Sequence, residues 1–335
     1  MDWERRCIRT CAAALLCAIG FRLGAAGWFA PIEGLLENPG LASFLVYLQT
    51  GRVVRLPVEA HNPTEAPVTE TTQAQPTQPQ PTQPQAAAPV FAAEDLNQIE
   101  VKYNCRYRPD LNELLTQPLS FDLSGDEPAV LILHTHTTES YTKAEGQSYE
   151  ETSPYRTLDP RYNMLAVGNL VAQALENAGV SVIHDQQFHD YPSYNGSYND
   201  AAASTADYLE RYPSIRLILD LHRDAADTDY GQMVTECRVD GQTSAQLMMV
   251  VGTDGGGLSH PNWQENLSLA LKLQTVLEKQ NPGICRDLSL TYQRYNQHFT
   301  NGTLLIEVGA AGNTLDEALI AADALAEGII TLFQE

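Results

Sequence analysis

From Glu100 onward, the chain alternates between short apolar runs and longer segments in which apolar residues recur every three or four positions. The short runs are typical of buried strands and the longer segments of amphipathic helices. The predicted strands are 129–134, 180–185, 215–222, 232–240, 245–252 and 303–309, and the predicted helices are 161–179, 201–213, 262–283 and 314–334. This alternation predicts an α/β fold of three layers, with a mostly parallel sheet and helices on both of its faces.

The N-terminal part of the chain follows a different pattern. An apolar stretch follows the arginine-rich residues 5–9, which predicts a signal anchor or transmembrane segment over residues 1–30. Arg22 divides this stretch, and its two halves together reach the ~20 residues that span a bilayer. A cleaved signal peptide is the alternative. Because the positive charge precedes the apolar stretch, we expect the N-terminus in the cytoplasm and the rest of the chain outside the membrane.

Two further segments separate this predicted anchor from the globular part. Residues 31–56 form a juxtamembrane segment, and residues 57–94 form a spacer rich in proline, glutamine and threonine. The spacer has eight prolines and no lysine or arginine between positions 57 and 93. Such a composition cannot bury a core and predicts an extended, disordered connection. Residues 95–335 are then the predicted catalytic domain.

Composition excludes several classes of function. The formal net charge of −22 argues against nucleic acid or an anionic membrane surface as the principal ligand. The six cysteines have no paired spacing, so neither a zinc ribbon nor a disulfide framework is indicated. The sequence GTDGGG (252–257) follows a predicted strand but lacks the lysine of a phosphate-binding loop, and we reject a phosphate site there.

Polar residues with catalytic potential follow three of the predicted strands. The first strand ends in His134-Thr-His136-Thr-Thr-Glu139, another in Asp220-Leu-His222-Arg223-Asp224, and a late one in Glu307-Val-Gly309. In open parallel sheets, functional residues gather at the carboxyl ends of the strands. We therefore expect these three strand ends to build one site.

The residue types at these strand ends indicate a zinc site. His136 and Glu139 form a two-ligand group, and His222 completes the His, Glu, His set that is typical of catalytic Zn²⁺. Three protein ligands leave one position for water, whose pKa zinc lowers to about 7. Glu307 is the expected proton shuttle. Arg223 is a candidate for holding a substrate carboxylate or the developing oxyanion.

The remaining histidines have less specific interpretations. His134 and His136 are two residues apart and can face the same side of a strand, so either can be the ligand. We assign the metal to His136 and give His134 a catalytic role as a supporting or substrate-contacting group. Four others lack an acidic partner at ligand spacing and are predicted near the surface, one of them at the edge of the cleft: His184, His189, His298 and, at the cleft edge, His260.

Several ordered motifs resemble the stage II sporulation protein P family of endospore-forming bacteria. They are NPGLASFLVYLQTGR, LILHTHTTESY, DLHRD, HPNWQENLSLALKL, YNQH and LLIEVGAAGNTLDEAL. The resemblance implies a fold similar to zinc-dependent N-acetylmuramoyl-L-alanine amidases. It also implies a membrane-anchored peptidoglycan hydrolase with amidase and endopeptidase activity, which acts at the septum during forespore engulfment with stage II sporulation proteins D and M.

The resemblance places the family's catalytic histidines at the HTH cluster and at His222, and the amidase-type glutamate at Glu307. In the wider amidase group, the carboxylate ligand comes from the start of the first helix. That region of this chain offers only Asp159, so we prefer Glu139. Two other functions stay open, namely a scaffold or binding component of the engulfment complex with a vestigial metal site, and a zinc carboxypeptidase acting on cell-wall peptides.

Overall fold

The computed structural model describes residues 89–228 and 231–333. The predicted anchor, the juxtamembrane segment and positions 57–88 of the predicted spacer lie outside the described residues and stay predictions. Among the described residues, no helix combines the length and the apolarity needed to cross a membrane. Within the last positions of the predicted spacer, Phe91 already packs against the core, and a short 3₁₀ helix spans Ala93–Gln98.

Within the described residues, seven strands form one sheet, and five α-helices accompany it. The sheet strands are β1 (Val101–Asn104), β2 (Val130–Leu133), β3 (Val182–His184), β4 (Leu217–Asp224), β9 (Leu247–Val251), β10 (Leu288–Thr291) and β11 (Gly302–Ala310). The short strands β5 (Asp227–Thr228), β6 (Gly231–Gln232), β7 (Glu236–Val239) and β8 (Gln242–Ala245) form two separate hairpin sheets. The helices are α1 (Leu111–Thr116), α2 (Met164–Asn177), α3 (Ser197–Arg211), α4 (Trp263–Gln280) and α5 (Leu315–Phe333).

The strand order in the main sheet is β1-β10-β9-β11-β4-β2-β3. Neighbouring strands are parallel in every pair except β9 and β11, which are antiparallel. The sheet therefore consists of two parallel blocks that run in opposite directions. The prediction of a mostly parallel sheet is confirmed.

Side-chain alternation along β2 divides the protein into its layers. Val130 and Ile132 belong to the large core beneath α2, α4 and α5, whereas Leu131 and Leu133 point to the other face and pack with Ala201 of α3. Both sets are almost fully buried, so β2 is one continuous apolar run, as expected for a parallel strand between two helical layers. Helices on both faces confirm the predicted three-layer fold.

Local signals explain where helix α2 begins and ends. The side chain of Asn163 accepts a hydrogen bond from the backbone N–H of Leu165, which caps the start of α2. The helix stops before Gly179, whose φ of 88° is a left-handed conformation that glycine adopts without strain. This end agrees with the predicted stop, because a glycine after the last apolar position is a helix-termination signal.

The sequence prediction of the smaller strands was less accurate. The predicted strand 232–240 is not in the main sheet, because β7 pairs with β8 in a hairpin. Strands β1 and β10 were not predicted at all, and yet they pair with each other at one edge of the main sheet. Each has only four residues, with polar residues between the apolar ones, so neither produces the continuous apolar run of a buried strand.

Candidate active site

Helix α3 covers only part of its face of the sheet, and beside it lies a cavity of about 500 Å³. Met248, Val250 and Leu305 form part of the cavity floor on this uncovered area, and Tyr198 of α3 forms part of its wall. The cavity brings together residues from separate strand ends: His136, Glu139, His222, Arg223 and Glu307. Five of the six residues predicted to form the site therefore line one cavity.

The loop after β2 presents His136 and Glu139 to this cavity. The N–H and hydroxyl of Thr135 donate to the Asp220 carboxylate at 2.8 and 2.6 Å, which ties the start of the loop to β4. The Glu139 N–H donates to the His136 carbonyl at 3.1 Å and closes a tight turn. This turn places the imidazole and the carboxylate side by side, as the three-residue spacing predicts.

His136 lies among aromatic rings. Its imidazole stacks on Tyr194 with a centroid distance of 4.6 Å, and it meets Tyr198 and His222 edge to face at 5.6 and 5.3 Å. Burial lowers the pKa of His136 to about 4, so the ring is neutral and can offer a lone pair. Its Nδ1 atom is buried and has no hydrogen-bond partner in the described part of the chain.

His222 projects from β4 directly beside Glu307, its register partner on β11. Its Nε2 atom lies 3.0 Å from Asp220 Oδ1, although the contact is not aligned as a hydrogen bond. Its Nδ1 atom lies 3.7 Å from Glu139 Oε2. Burial alone would lower the pKa of His222, but the carboxylates of Asp220, Glu139 and Glu307 together raise it to about 9.

Two arginines hold the Glu139 carboxylate. The Arg156 Nη2 group donates to Oε1 at 3.3 Å, and the Arg223 backbone N–H donates to Oε2 at 3.3 Å. The Arg223 guanidinium also approaches Oε1 to 3.5 Å. The side chain of Glu139 is almost fully buried. The two arginines compensate its charge and constrain its orientation toward His222.

Glu307 is the carboxylate in this site with no such compensation. Its Oε2 atom is buried and has no hydrogen-bond partner among the described residues. Burial raises the pKa of Glu307 to about 8; the nearby charges of His222 and Arg223 oppose this effect, and those of Glu139 and Asp224 add to it. A carboxyl group with a raised pKa and a free oxygen at a cavity wall has the properties of a general acid or base.

His136, Glu139 and His222 are of the residue types that bind zinc, and they line one cavity. Asp220 lies against Nε2 of His222, which leaves Nδ1 directed toward Glu139, and a carboxylate behind a histidine is the usual support of a metal ligand. His136 contributes a neutral ring with an unpartnered nitrogen. Within residues 89–228 and 231–333, no group of three or more His, Cys, Asp or Glu side chains is already arranged as a metal site.

His134 lies away from the cavity. It follows Ile132 on the face of the sheet that packs under α2, where its Nδ1 contacts the Leu221 carbonyl at 3.0 Å and its Nε2 contacts His184 Nε2 at 2.9 Å. The side chain is fully buried. This position corrects the expectation that His134 contacts substrate: the alternation of β2 carries it to the other side of the sheet, and only the chain after the strand end turns His136 into the cavity.

Arg223 lines the cavity, and two of its three guanidinium nitrogens form hydrogen bonds with backbone carbonyls. Its Nε and Nη2 groups donate to the carbonyls of Ser140 and Tyr155, each at 3.0 Å, and its third nitrogen faces Glu139. The Nη1 group has no hydrogen-bond partner among the described residues, and the expected contact of Arg223 with a substrate anion stays a prediction. Arg223 acts here as a brace for the loop that carries Glu139.

Asp159, the alternative carboxylate ligand, does not line the cavity. It forms a two-pronged ion pair with Arg161, with contacts of 2.9 and 2.6 Å. The structure thus separates the two candidates: Glu139 lies beside His222, and Asp159 is engaged just before helix α2.

The other histidines correct the expectation of surface positions. His189 and His260 are 5% and 1% exposed, and His184 and His298 are partly buried. His189 contacts the Asp185 carboxylate at 3.3 Å and the His134 carbonyl at 3.0 Å. The loops around them fold back onto the domain, which the local sequence does not indicate.

Sequence reasoning missed two residues that support the site, Arg156 and Asp190, and assigned no role to Asp220. Arg156 bridges Glu139 and Asp190, with an Nη1–Oδ2 distance of 2.6 Å to Asp190, and its guanidinium lies 4.9 Å from the Tyr194 ring centre. Asp190 also accepts from the N–H and hydroxyl of Thr138. Asp220 lies two residues before His222 on β4 and faces the same side of the sheet. This spacing could have indicated that the two side chains are neighbours. Nothing local marks Arg156 or Asp190.

Comparison with known proteins gives a family and one relative. Residues 37–330 match the family model described as Stage II sporulation protein P. The protein of that name from Bacillus subtilis (strain 168) is 30% identical over 216 residues, which cover 61% of this chain. The matched part spans about half, 51%, of the length of that relative.

Two solved amidase structures also align with the chain at low identity. N-acetylmuramoyl-L-alanine amidase AmiC2 of Nostoc punctiforme is 14% identical with a TM-score of 0.38, covering 63% of this chain and 100% of its own. The CwlD amidase from Clostridioides difficile, solved in complex with the GerS lipoprotein, is 14% identical with a TM-score of 0.37, covering 62% and 96%. The fold and the site described above rest on the strand order and side-chain positions of this chain.

Proposed function

The chain belongs to the stage II sporulation protein P family, as the resemblance predicted, and from this premise and the geometry of the cavity we propose that it hydrolyses an amide bond of peptidoglycan. The proposed bond is the lactyl–L-alanine amide, with the peptide cross-links as a second target. The substrate follows the expectation that the family resemblance raises. The reaction type follows from the cavity residues.

One observation carries the proposal: His136, Glu139, His222 and Glu307 come from three separate strand ends and line one cavity. Two imidazoles and a braced carboxylate form one group, and beside them lies Glu307, whose Oε2 has no hydrogen-bond partner among the described residues. Hydrolysis of an amide needs an activated water and a proton for the departing amine. The arrangement offers residues for both requirements.

His136, Glu139 and His222 would hold a zinc ion. When bound, zinc supplies Lewis-acid activation of the scissile carbonyl and of the attacking water. Asp220 orients His222 from behind, and Arg156 and Arg223 fix the rotamer of Glu139. These supports keep the donors in place before substrate arrives.

Glu307 moves the proton. Its free Oε2 accepts a proton from water as the carbon–oxygen bond forms, and the same oxygen returns it to the amide nitrogen as the carbon–nitrogen bond breaks. One water is consumed, and a carboxylate and an amine are produced. Because no described residue forms a hydrogen bond with this oxygen, no such bond has to be broken first.

We extend the proposal to the place where the protein acts. Residues 1–30 anchor the chain in the membrane, the spacer of 57–94 carries the domain away from it, and the domain works outside the cytoplasm at the sporulation septum. Partners are stage II sporulation proteins D and M, acting in engulfment. Protease added to cells with permeabilised walls should degrade the domain, and recovery of the whole chain in the soluble cytoplasmic fraction would contradict this location.

The enzymatic proposal is tested with the full chain, loaded with zinc, on purified sacculi. Mass spectrometry of the released fragments should show free stem peptides and peptide-free glycan, together with stem peptides whose cross-links are cleaved. Release of terminal amino acids alone would indicate a carboxypeptidase instead. Binding without any release, even with the proposed partners present, would leave the scaffold function.

A further inference from the structure

A second cavity of about 420 Å³ adjoins the candidate active site. The two cavities share four lining residues, Tyr198, Tyr292, Gln293 and Tyr295. Tyr198 connects them: its ring centre lies 5.6 Å from that of His136 on one side and 5.8 Å from that of Tyr295 on the other. A long substrate bound in the candidate active site can therefore extend over the second cavity.

The linings of the two cavities differ in chemistry. The candidate active site contains Glu139, Arg223, Asp224 and Glu307, all of which are ionisable. The second cavity presents three tyrosines with three side-chain amides, those of Asn199, Gln293 and Asn296, and its single charged residue is Arg294. One guanidinium nitrogen of Arg294 already donates to the Ser259 carbonyl.

Close backbone packing builds the loop that carries this lining. Gly252 and Gly256 lie against the backbone of residues 292–294, and a Cβ atom on Gly256 would come within 2.9 Å of the Tyr292 carbonyl. The glycine-rich sequence at 252–257 therefore serves close approach of this loop. Tyr295 and Asn296 both have positive φ angles, 47° and 59°, which non-glycine residues adopt only where surrounding contacts enforce them.

Two amide side chains supply these enforcing contacts. The side-chain amide of Gln297 accepts from the Gly252 N–H at 2.7 Å and donates to the Val250 carbonyl at 2.6 Å. The backbone carbonyl of Gln297 accepts from the side chain of Asn266. The side chain of Asn296 donates to the Tyr198 carbonyl at 2.7 Å, and this hydrogen bond connects the loop to α3. The tyrosine-bearing surface is thus held in one conformation, which is a property of preformed binding sites.

We propose that the second cavity is a subsite for an uncharged, N-acetylated glycan chain, with the ring of Tyr292 as the platform on which a sugar packs. Tyr292 is 50% exposed at the cavity, beside Leu258, which is 59% exposed. An aromatic ring offers apolar area to the C–H face of a sugar, and amide side chains both donate to and accept from hydroxyl and acetamido groups.

The chemistry favours glycan over stem peptide at this position. A stem peptide carries free carboxylates and an amine, which need charged partners when they leave water. The second cavity has one guanidinium and no carboxylate, whereas the candidate active site has both charge types. The subsite rests on the proposed function, since it assigns the glycan side of the same substrate to a defined surface.

The test measures binding of a soluble oligosaccharide, chitotetraose, to the full chain by isothermal titration calorimetry. Chitotetraose has no lactyl–alanine amide, so it is not a substrate of the proposed reaction and reports the subsite alone. Tyr292→Ala should weaken its binding by about tenfold, and Tyr292→Trp should retain it. The matched control is Tyr191→Ala, because Tyr191 is similarly exposed, at 47%, and lines neither cavity.

Failure of the subsite is distinguishable from failure of the proposed function. Absence of chitotetraose binding, or equal binding by the wild type and Tyr292→Ala, overturns the inference even if sacculi are digested. A loss of affinity for a free stem tripeptide in Tyr292→Ala, with oligosaccharide binding unchanged, also overturns it. Selective loss of chitotetraose binding supports the subsite, and it does so even if Glu307→Gln leaves hydrolysis intact and the proposed mechanism fails.

Discussion

His134 and His136 are separated by one residue, and the structure places them on opposite sides of the sheet. His134 lies fully buried under α2 and contacts the partly buried His184, and burial lowers the pKa of His134 to about 3. His136 lies in the cavity with an unpartnered nitrogen beside His222. The comparison teaches that residue type and spacing do not assign a role. The layer into which a side chain projects decides whether it supports the fold or performs chemistry.

The largest expected effect is on the cavity side, at the proposed ligands. His136→Ala, Glu139→Ala and His222→Ala should each lose bound zinc and all measurable release of fragments from sacculi, since each removes a donor atom. Metal content by mass spectrometry and fragment release are measured on the same preparations. The control is Asp159→Ala, because Asp159 pairs with Arg161 outside the cavity. Zinc loss in that variant, with zinc retained in Glu139→Ala, would exchange the two carboxylates.

The next effect separates proton transfer from metal binding. Glu307→Gln should lower the hydrolysis rate by ~100-fold or more, because it removes the proton-accepting oxygen. Zinc should stay bound, since only a ligand contributes to metal affinity. Glu327→Gln, an exposed change on α5, is the control and should be active. Loss of zinc from Glu307→Gln would make Glu307 a ligand and contradict the assigned roles.

On the opposite side of the sheet, substitutions should affect stability and leave chemistry intact. A Cβ atom on Gly168 would collide with the imidazoles of His184 and His134, so Gly168→Ala should destabilise the fold by ~1–3 kcal/mol through overpacking. Urea unfolding measures this change. Gln173→Ala, at an exposed position of the same helix, should change stability by less than ~0.5 kcal/mol. If Gly168→Ala also lowered the activity per folded molecule, the face of the sheet under α2 would affect the chemistry, and the assignment of separate roles to the two faces would be wrong.

The smallest effect concerns pH. Burial lowers the pKa of His184 to about 4 from an unfolded value of 6.5, so between these values the unfolded chain binds a proton that the folded chain does not. The contribution of His184 is therefore complete above pH 6.5 and is lost as the pH falls toward 4. His184→Gln should flatten the dependence of unfolding free energy on pH in this window. An unchanged slope would show that His184 is not the titrating group.

The sequence predicted the large elements because their signals are local. Strands β2, β4 and β11 appear as apolar runs, and helices α2, α4 and α5 as three-and-four repeats. The chemistry at the strand ends was also readable, since carboxyl ends of parallel strands meet at one edge. It was this reasoning that joined His136, Glu139, His222 and Glu307 in one site before any distance was known.

What the sequence determined by itself is therefore the larger helices and strands, the family and the residue types available at the strand ends. The tertiary structure alone decided that His134 turns away, that Arg156 and Arg223 brace Glu139, and that Tyr292 lies beside the candidate active site. The physical reason is range. Periodicity arises from neighbouring residues along one element, whereas a pKa, an ion pair or a cavity depends on side chains up to a hundred or more positions apart, which meet only when the layers pack.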